Sequence, residues 1–204
     1  MKNTIIKSIL DVLAPNYCSS CGRVGSILCG RCKKDKLVLN PRIEEGVWFL
    51  GERKGLLKEL IHRFKFEGER ESGDVLAELL AEFLPDLSQN TVIVPLPTID
   101  KHVRMRGLDH TKYLAMVLAR VRGWRVEEIL ERKTDSVQVG ASEKKRIEQA
   151  RRAYKINKDL KIDPSIPYLL LDDVWTTGSS LLSAREALKE VGAKKIDLVV
   201  LAKS

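Results

Sequence analysis

The sequence lacks the features that would place it in a membrane or make it a sequence-specific reader of nucleic acids. No apolar run among its 204 residues approaches the roughly 20 residues that span a bilayer. Aromatic residues make up only 5%, so platforms on which bases could stack are sparse. No two of the three histidines, His62, His102 and His110, have the spacing of metal ligands. With 44% hydrophobic and 31% charged residues, the composition is that of a folded globular protein.

The N-terminal segment also lacks the uninterrupted apolar core of an export signal. Lys7 and Asp11 interrupt its apolar residues, which recur at helical spacing. We therefore expect a short amphipathic helix that packs on the protein's own body, and a cytoplasmic location. The length suits one α/β domain of roughly 150 residues with a small additional module.

Positive charge is concentrated in one part of the chain. The net charge is +8; residues 101–155 hold 15 Lys and Arg against 7 Asp and Glu, while the remainder balances at 21 against 21. Such a segment is either an ordinary solvated surface or a stripe that attracts polyanions, whether a pyrophosphate-bearing substrate or nucleic acid. Charge alone does not choose between these interpretations.

All four cysteines fall within fifteen residues, as two Cys-x-x-Cys pairs. Cys18 and Cys21 form the first pair, and Cys29 and Cys32 form the second. Two such pairs can supply four thiolates to one tetrahedral Zn²⁺, which leaves no open coordination position, so a structural role is expected. Disulfides, a redox dithiol and an iron–sulfur cluster are the alternatives, and a cytosolic chain disfavours disulfides. Because so short a segment has little core, a bound metal should supply much of its folding energy.

Strand and helix patterns alternate after the cysteines. Residues 41–45 mark the exit from the cysteine module, so we place the domain boundary between residues 1–45 and 46–204. Ser72 is the predicted N-cap of one helix. The alternation predicts an α/β fold with a mainly parallel, doubly wound sheet. Strands are predicted over 47–50, 91–97, 168–172 and 196–202, helices over 55–66, 72–84, 109–121, 147–153 and 179–191, and a loop over 132–145.

The most informative stretch is YLLLDDVWTTGSS, residues 168–180. Asp172 and Asp173 end a buried strand, and a hydroxyl-rich turn leads from them into a helix N-terminus, the crevice where open α/β sheets bind ligands. The amides of the turn suit a phosphate, and the carboxylates suit ribose hydroxyls, directly or through Mg²⁺-bound water. These groups together describe a site for a ribose 5-phosphate, although the Thr and Ser residues could instead be ordinary caps. The candidate binding residues are Asp172, Asp173, Thr176, Thr177, Gly178, Ser179 and Ser180.

This stretch resembles the phosphoribosyl pyrophosphate motif of type I phosphoribosyltransferases: four hydrophobic residues, two acidic ones and a Thr-Thr-Gly-x-Thr/Ser loop. Walker A and Rossmann patterns are absent. With the paired cysteines, VPLP at 94–97, RMRGLDH at 104–110 and RKTDSVQ at 132–138, the whole chain resembles the ComF family of competence proteins. Asp109 and His110 stand where that family usually has Asn-Gln, so the resemblance does not extend to an acceptor specificity.

The resemblance implies a type I phosphoribosyltransferase-like fold, structural zinc, and phosphoribosyl pyrophosphate bound with Mg²⁺. The loop after Val94 would hold the pyrophosphate. The residues that would face it are Leu96, Pro97 and Thr98. Catalysis would use Arg104, Arg106 and Asp173, since cations and Mg²⁺ aimed at the leaving group stabilise its charge without a covalent nucleophile.

Two kinds of function remain open at this point. One is phosphoribosyl transfer to an unknown acceptor, linked to DNA uptake. The other is a non-catalytic factor that handles single-stranded DNA or docks a competence helicase while it keeps the ligand site. Lys65, between Phe64 and Phe66, is either a pocket residue or a surface residue at a helix end.

Overall fold

The computed structural model describes residues 15–99, 103–105, 107–132, 154–157 and 160–204. The helices in these ranges are α1 (Gly30–Asp35), α2 (Gly55–Phe66), α3 (Arg70–Phe83), α4 (His110–Arg122) and α5 (Ser179–Glu190). The strands are β1 (Arg42–Glu44), β2 (Val47–Glu52), β3 (Val92–Pro95), β4 (Arg125–Val126), β5 (Leu130–Arg132), β6 (Tyr154–Ile156), β7 (Pro167–Trp175) and β8 (Lys195–Lys203).

Six strands form one sheet in the order β1-β2-β8-β7-β3-β4. Only β1 and β2 pair antiparallel, and every other neighbouring pair in this sheet is parallel. The central strand β7 is apolar over Leu169, Leu170 and Leu171, which are all fully buried, as expected for a parallel strand covered on both faces. The remaining strands, β5 and β6, pair antiparallel in a sheet of their own.

Helices cover both faces of the six-stranded sheet because side chains alternate along each strand. Leu169 and Leu171 belong to a core shared with α2, α3 and α4. Leu170 faces the other way, into a core shared with α5 and with Tyr154 of β6. The chain therefore has the mainly parallel, doubly wound α/β fold that was predicted.

The largest difference from the predicted elements is at the start of α3. The helix begins at Arg70, with Glu69 at the N-cap position, so the prediction of Ser72 as N-cap is wrong. Ser72 is buried within the helix, and its hydroxyl donates to the Glu69 carboxylate, which also binds Arg63. Residue 132 lies in β5 rather than in a loop. The helices predicted over 147–153 and in the N-terminal segment, and the rest of the 132–145 loop, lie outside the described residues.

The cysteine segment packs against the helices that cover one face of the sheet. Ile27 and Leu28 are buried in the same core as α2 and α3. Arg63 Nη1 of α2 donates to Ser19 Oγ over 2.5 Å. The division into residues 1–45 and 46–204 stays a prediction. In the described ranges, none of the helices is both long enough and apolar enough to cross a membrane.

Candidate functional site

The candidate site lies at the carboxyl end of β7, in the middle of the sheet. β7 ends at Trp175 and α5 begins at Ser179, which leaves a short turn between a buried strand and a helix N-terminus. A pocket opens there, at the edge where open α/β sheets bind ligands. It is lined by Asp172, Val174, Trp175, Thr176, Thr177, Gly178, Ser179, Ser180, Leu181 and Val200. The structure thus brings together every residue predicted from this motif except Asp173.

Gly178 is required by both the conformation and the packing of the turn. Its φ of 71° is left-handed, and a Cβ built on it would lie 2.1 Å from the Trp175 ring. Trp175 is itself buried, edge-on to Phe49 with ring centroids 6.0 Å apart. Because Gly178 is the N-cap residue, no side chain caps α5, and the helix can present its first amides to an anion. The hydroxyls of Thr177 and Ser179, 3.0 Å apart, lie beside these amides.

The two adjacent carboxylates take different directions. Asp172 lines the pocket and accepts a hydrogen bond from the Asp173 amide at 2.8 Å. Asp173 meets α2 instead, where its Oδ2 lies 2.6 Å from Lys65 Nζ. Both side chains of this ion pair are only 17% exposed. Lys65, for which the sequence left two interpretations, therefore contacts the acidic motif rather than lying free on the surface.

Asp172 lies in an environment that favours the neutral, protonated carboxyl group more than the environment of an ordinary aspartate does. Burial, followed by the neighbouring Asp173 charge, raises the pKa of Asp172 to about 7, although the Asp173 amide, Lys65 and Arg132 oppose the rise. Part of the residue stays exposed, but the carboxyl itself lies among protein atoms. Asp172 therefore titrates near neutral pH.

The β5–β6 pair contributes two residues that the sequence analysis did not identify as site residues. Burial raises the pKa of Tyr154, while the Arg132 charge and an interaction with Ser180 oppose the rise. The Arg132 guanidinium carbon lies 5.9 Å from the centroid of the Tyr154 ring. The only sequence signal was the motif that begins at Arg132, because Tyr154 is an isolated aromatic in a three-residue strand.

The loop after β3 lies beside the pocket because β3 pairs with β7. Leu96 N donates to Leu171 O at 2.9 Å, and the Leu96 side chain is buried, so only its backbone can face a ligand. Pro97 and Thr98 are half-buried. Asp109 accepts from Thr98 Oγ1 at 3.0 Å and from the Lys112 amide at 3.1 Å, so it both caps α4 and fixes this loop.

The four cysteines form one cluster whose geometry fits a metal ion. Their sulfur atoms all lie within 4.8 Å of one another, and all four thiols are free, which disfavours the disulfide alternative. Cys21 Sγ and Cys29 Sγ are 3.7 Å apart, close to the ~3.8 Å edge of a tetrahedron with Zn–S bonds of ~2.3 Å. Burial raises the pKa of Cys18, but the backbone amides of Cys29, Ser20 and Cys21 outweigh it and lower the value to about 6. Cys18, Cys21, Cys29 and Cys32 can therefore hold a structural zinc ion.

No family model matches the chain, but curated relatives align along most of it. Competence protein F of Haemophilus influenzae is 29% identical over 206 residues, covering 90% of this chain and 84% of that protein. Competence protein ComFC is 26% identical in Streptococcus pneumoniae, covering 88% and 84%, and 26% identical in Bacillus subtilis, covering 91% and 77%. The chain is therefore similar to the ComF family of competence proteins along most of its length.

Solved structures with a similar backbone include adenine phosphoribosyltransferase from Leishmania tarentolae, with a TM-score of 0.45, 12% identity, and coverage of 82% of this chain and 95% of that one. An allosteric regulatory enzyme of purine biosynthesis has a TM-score of 0.46 and 14% identity over 69% of this chain. This chain spans only 30% of that enzyme's chain. In this chain, Asp172 and Asp173 lie near the carboxyl end of β7, which stands between β8 and β3 in the six-stranded sheet.

Several features singled out in the sequence are not among the residues that line the pocket. Arg104 is exposed in a short helical stretch, and Arg106 lies outside the described residues, as does much of the basic segment 101–155. Their predicted roles stay predictions. His110 is 1% exposed and packs edge-on against Phe64 at 4.9 Å, so its described contact is with the core between α2 and α4.

Proposed function

We propose that this protein binds phosphoribosyl pyrophosphate with Mg²⁺ at the end of β7 and transfers the phosphoribosyl group to an acceptor. One observation carries the proposal: the turn at Gly178 packs against Trp175, and the N-cap glycine leaves α5 without a side-chain cap, beside the Asp172 carboxylate. An anion-binding helix end next to a hydrogen-bond acceptor matches a sugar phosphate at both ends.

The pocket offers separate partners for each part of the ligand. The 5-phosphate would bind the amides and hydroxyls between Thr176 and Ser180, and Asp172 would accept from the ribose hydroxyls. The pyrophosphate would lie against the backbone of the loop after β3, which Asp109 holds in place through Thr98. Magnesium, when bound with the pyrophosphate, would neutralise part of the leaving group's charge.

In the transfer, the bond between ribose C1 and the pyrophosphate oxygen breaks, and a bond from the acceptor to C1 forms. Pyrophosphate leaves with the electron pair, and the acceptor loses a proton. Arg104 and Arg106 are proposed to stabilise the departing pyrophosphate, with Asp173 supporting the ribose end through its neighbour Asp172. The acceptor is not defined by any group in the pocket.

Isothermal titration calorimetry with phosphoribosyl pyrophosphate and Mg²⁺ tests the binding proposal. We expect binding by the wild type, and a loss of at least about tenfold in affinity in Asp172→Asn/Asp173→Asn, because the ribose hydroxyls lose the charged acceptor Asp172. Asp163→Asn is the control, since Asp163 precedes the opposite end of β7 and accepts from Ser165 instead. Failure of the wild type to bind, or equal binding by the double variant, would contradict the proposal.

Release of pyrophosphate tests turnover separately from binding. We expect Mg²⁺-dependent release with a suitable acceptor, beginning with nucleobases and DNA, and its disappearance in Asp173→Asn. Arg104→Gln and Arg106→Gln should slow release more than they weaken binding, because the charge they meet develops in the transition state. Binding without release for any acceptor would assign the protein to the non-catalytic class.

The second proposed function is handling of single-stranded DNA, or docking of a competence helicase, during DNA uptake. It is supported by the relatives' names as competence proteins and by the 15 basic against 7 acidic residues of segment 101–155. We expect affinity for single strands that falls steeply with salt. An absence of binding at low salt would contradict direct DNA handling. The cytoplasmic location expected from the sequence belongs with this proposal, and cell fractionation tests it.

A further inference from the structure

The Lys65–Asp173 pair is more shielded than the ordinary lysine ion pairs of this protein. Both of its side chains are 17% exposed. By contrast, the Lys33–Glu82 pair is 41% and 60% exposed, and the Lys189–Glu186 pair is 51% and 52% exposed. A shielded charge that loses its partner is costly, so the two groups depend on each other more than an exposed pair does.

The last turn of α2 holds Lys65 in place. Phe64, the preceding residue, is fully buried and packs edge-on against His110 at 4.9 Å. Arg63, one residue earlier, donates to Glu69 Oε1 and to Ser19 Oγ, both at 2.5 Å. The backbone of this turn is thus anchored to α3, α4 and the cysteine segment, and the Lys65 ammonium group reaches β7 from a fixed position.

We propose that Lys65 is a positioning residue of the ligand pocket: it holds Asp173 on the α2 side of β7, so that Asp172 is the carboxylate that meets the ligand. The inference rests on the proposed function and deepens it, because it gives the two acidic residues different roles. Asp172 lines the pocket, whereas Asp173 is engaged by Lys65 at 2.6 Å. Lys65 acts through Asp173 and need not touch the ligand.

The charges around Asp172 explain why the ligand would depend on Lys65. Asp173 lies beside it on β7, Lys65 comes from α2, Arg132 from β5, and Tyr154 from β6. The negative charge of Asp173 disfavours ionisation of Asp172, and Lys65 offsets that effect. Without Lys65, Asp172 would hold its proton to higher pH and would be a poorer acceptor for ribose hydroxyls at neutral pH.

The first test needs no ligand. The Asp172 carboxyl is titrated by carbon-13 NMR in the wild type, Lys65→Met and Lys65→Met/Asp173→Asn. We expect a midpoint near 7 in the wild type, about one unit higher in Lys65→Met, and a return toward the wild-type value in the double variant, which lacks both charges. An unchanged midpoint in Lys65→Met would overturn the inference.

The second test is a double-mutant cycle on phosphoribosyl pyrophosphate affinity, measured by calorimetry with Mg²⁺. At pH 7, Lys65→Met should bind about fivefold more weakly, because a rise of one pKa unit from about 7 lowers the ionised fraction of Asp172 from about one half to about one tenth. The loss should shrink at pH 8.5 and in the Asp173→Asn background, and Lys65→Arg should retain binding. A Lys65→Met loss that stays undiminished in the Asp173→Asn background would mean direct contact with the ligand, and would overturn the positioning role.

Controls separate these outcomes from misfolding and from failure of the proposed function. Lys189→Met removes a lysine ion pair at the opposite end of α5 and should leave binding unchanged. Thermal unfolding of each variant shows whether it is folded. If Lys65→Met is not folded, Lys65→Arg and the double variant still test the inference. If the wild type binds no ligand, the proposed function fails, and the NMR titration alone decides whether Lys65 controls Asp172.

Discussion

Replacing Gly178 with alanine perturbs the candidate site at the point where its geometry is most demanding. The left-handed conformation at φ 71° costs a residue with a Cβ about 1–2 kcal/mol. A Cβ placed 2.1 Å from the Trp175 ring adds an overpacking cost of about 1–3 kcal/mol. We therefore expect Gly178→Ala to destabilise the fold by about 2–5 kcal/mol and, because the turn must move, to weaken binding of phosphoribosyl pyrophosphate.

Gly123 provides a matched control for this prediction. It has the same φ of 71°, but the nearest atom to its Cβ position is Gln89 Oε1 at 3.7 Å. Gly123→Ala should therefore cost only the conformational ~1–2 kcal/mol and leave ligand binding unchanged. Urea unfolding, with its midpoint and slope, measures both free energies.

The steric part of the prediction can be tested by making room for the new methyl group. In the Trp175→Leu background, Gly178→Ala should cost less than it does in the wild type, because the large ring is gone. Equal destabilisation by Gly178→Ala and Gly123→Ala, or the same Gly178→Ala cost in both backgrounds, would refute the assignment of Trp175 as the surface on which the turn rests.

Four further predictions concern the rest of the site and the cysteine segment. Removing metal with a chelator, or replacing Cys32 in Cys32→Ser, should lower the melting temperature of the whole domain, because the cysteine segment shares a core with α2 and α3. Calorimetry with and without chelator measures this temperature, and an unchanged transition would contradict the prediction. Burial, followed by the charge of Asp173, raises the pKa of Asp172 to about 7, so affinity for phosphoribosyl pyrophosphate should rise as pH increases through 7. The Asp172→Asn variant should lack this rise in affinity. The same pH profile in both proteins would refute the prediction. The folded state keeps a proton on Asp172 that the unfolded chain releases above pH ~4. The contribution of Asp172 to the free energy of unfolding of the ligand-free protein should therefore decrease as pH rises from ~4 to ~7. Arg63→Met should speed zinc transfer to a chelator, because Ser19 and Glu69 lose the donor that they share. The control variant Arg185→Met, on α5, should leave the rate unchanged. Equal rates in the two variants would argue against a link between α2 and the cysteine segment.

The long helices and strands and the turn at 172–180 were predictable because the sequence patterns that specify them are local. Helix α2 has the predicted bounds, since its apolar residues recur at helical spacing without interruption. The turn from Asp172 to Ser180 followed from the residue types that such a turn needs, above all Gly178. Both depend on neighbours in sequence, so a single chain contains enough information.

Short elements and cross-chain contacts were not predictable in this way. The β5–β6 pair consists of three-residue strands, too short for a periodic pattern, and it brings Tyr154 to Ser180, which lines the pocket. Helix α3 begins at Arg70, before the predicted N-cap Ser72, because the Glu69 side chain binds Arg63 of another helix and Ser72 of its own helix. A contact with a residue of a different helix leaves no local trace in the sequence.

The sequence by itself determined the order of the long strands and helices, the cysteine pairs and the chemistry of the turn at 172–180, because residue type and spacing encode these directly. Only the tertiary structure decided that Asp172 and Asp173 face different neighbours, and that Lys65, more than a hundred positions away in the chain, is the partner of Asp173. The physical reason is that direction and partnership arise when α2 packs beside the end of β7, and that packing depends on the whole core rather than on any one segment.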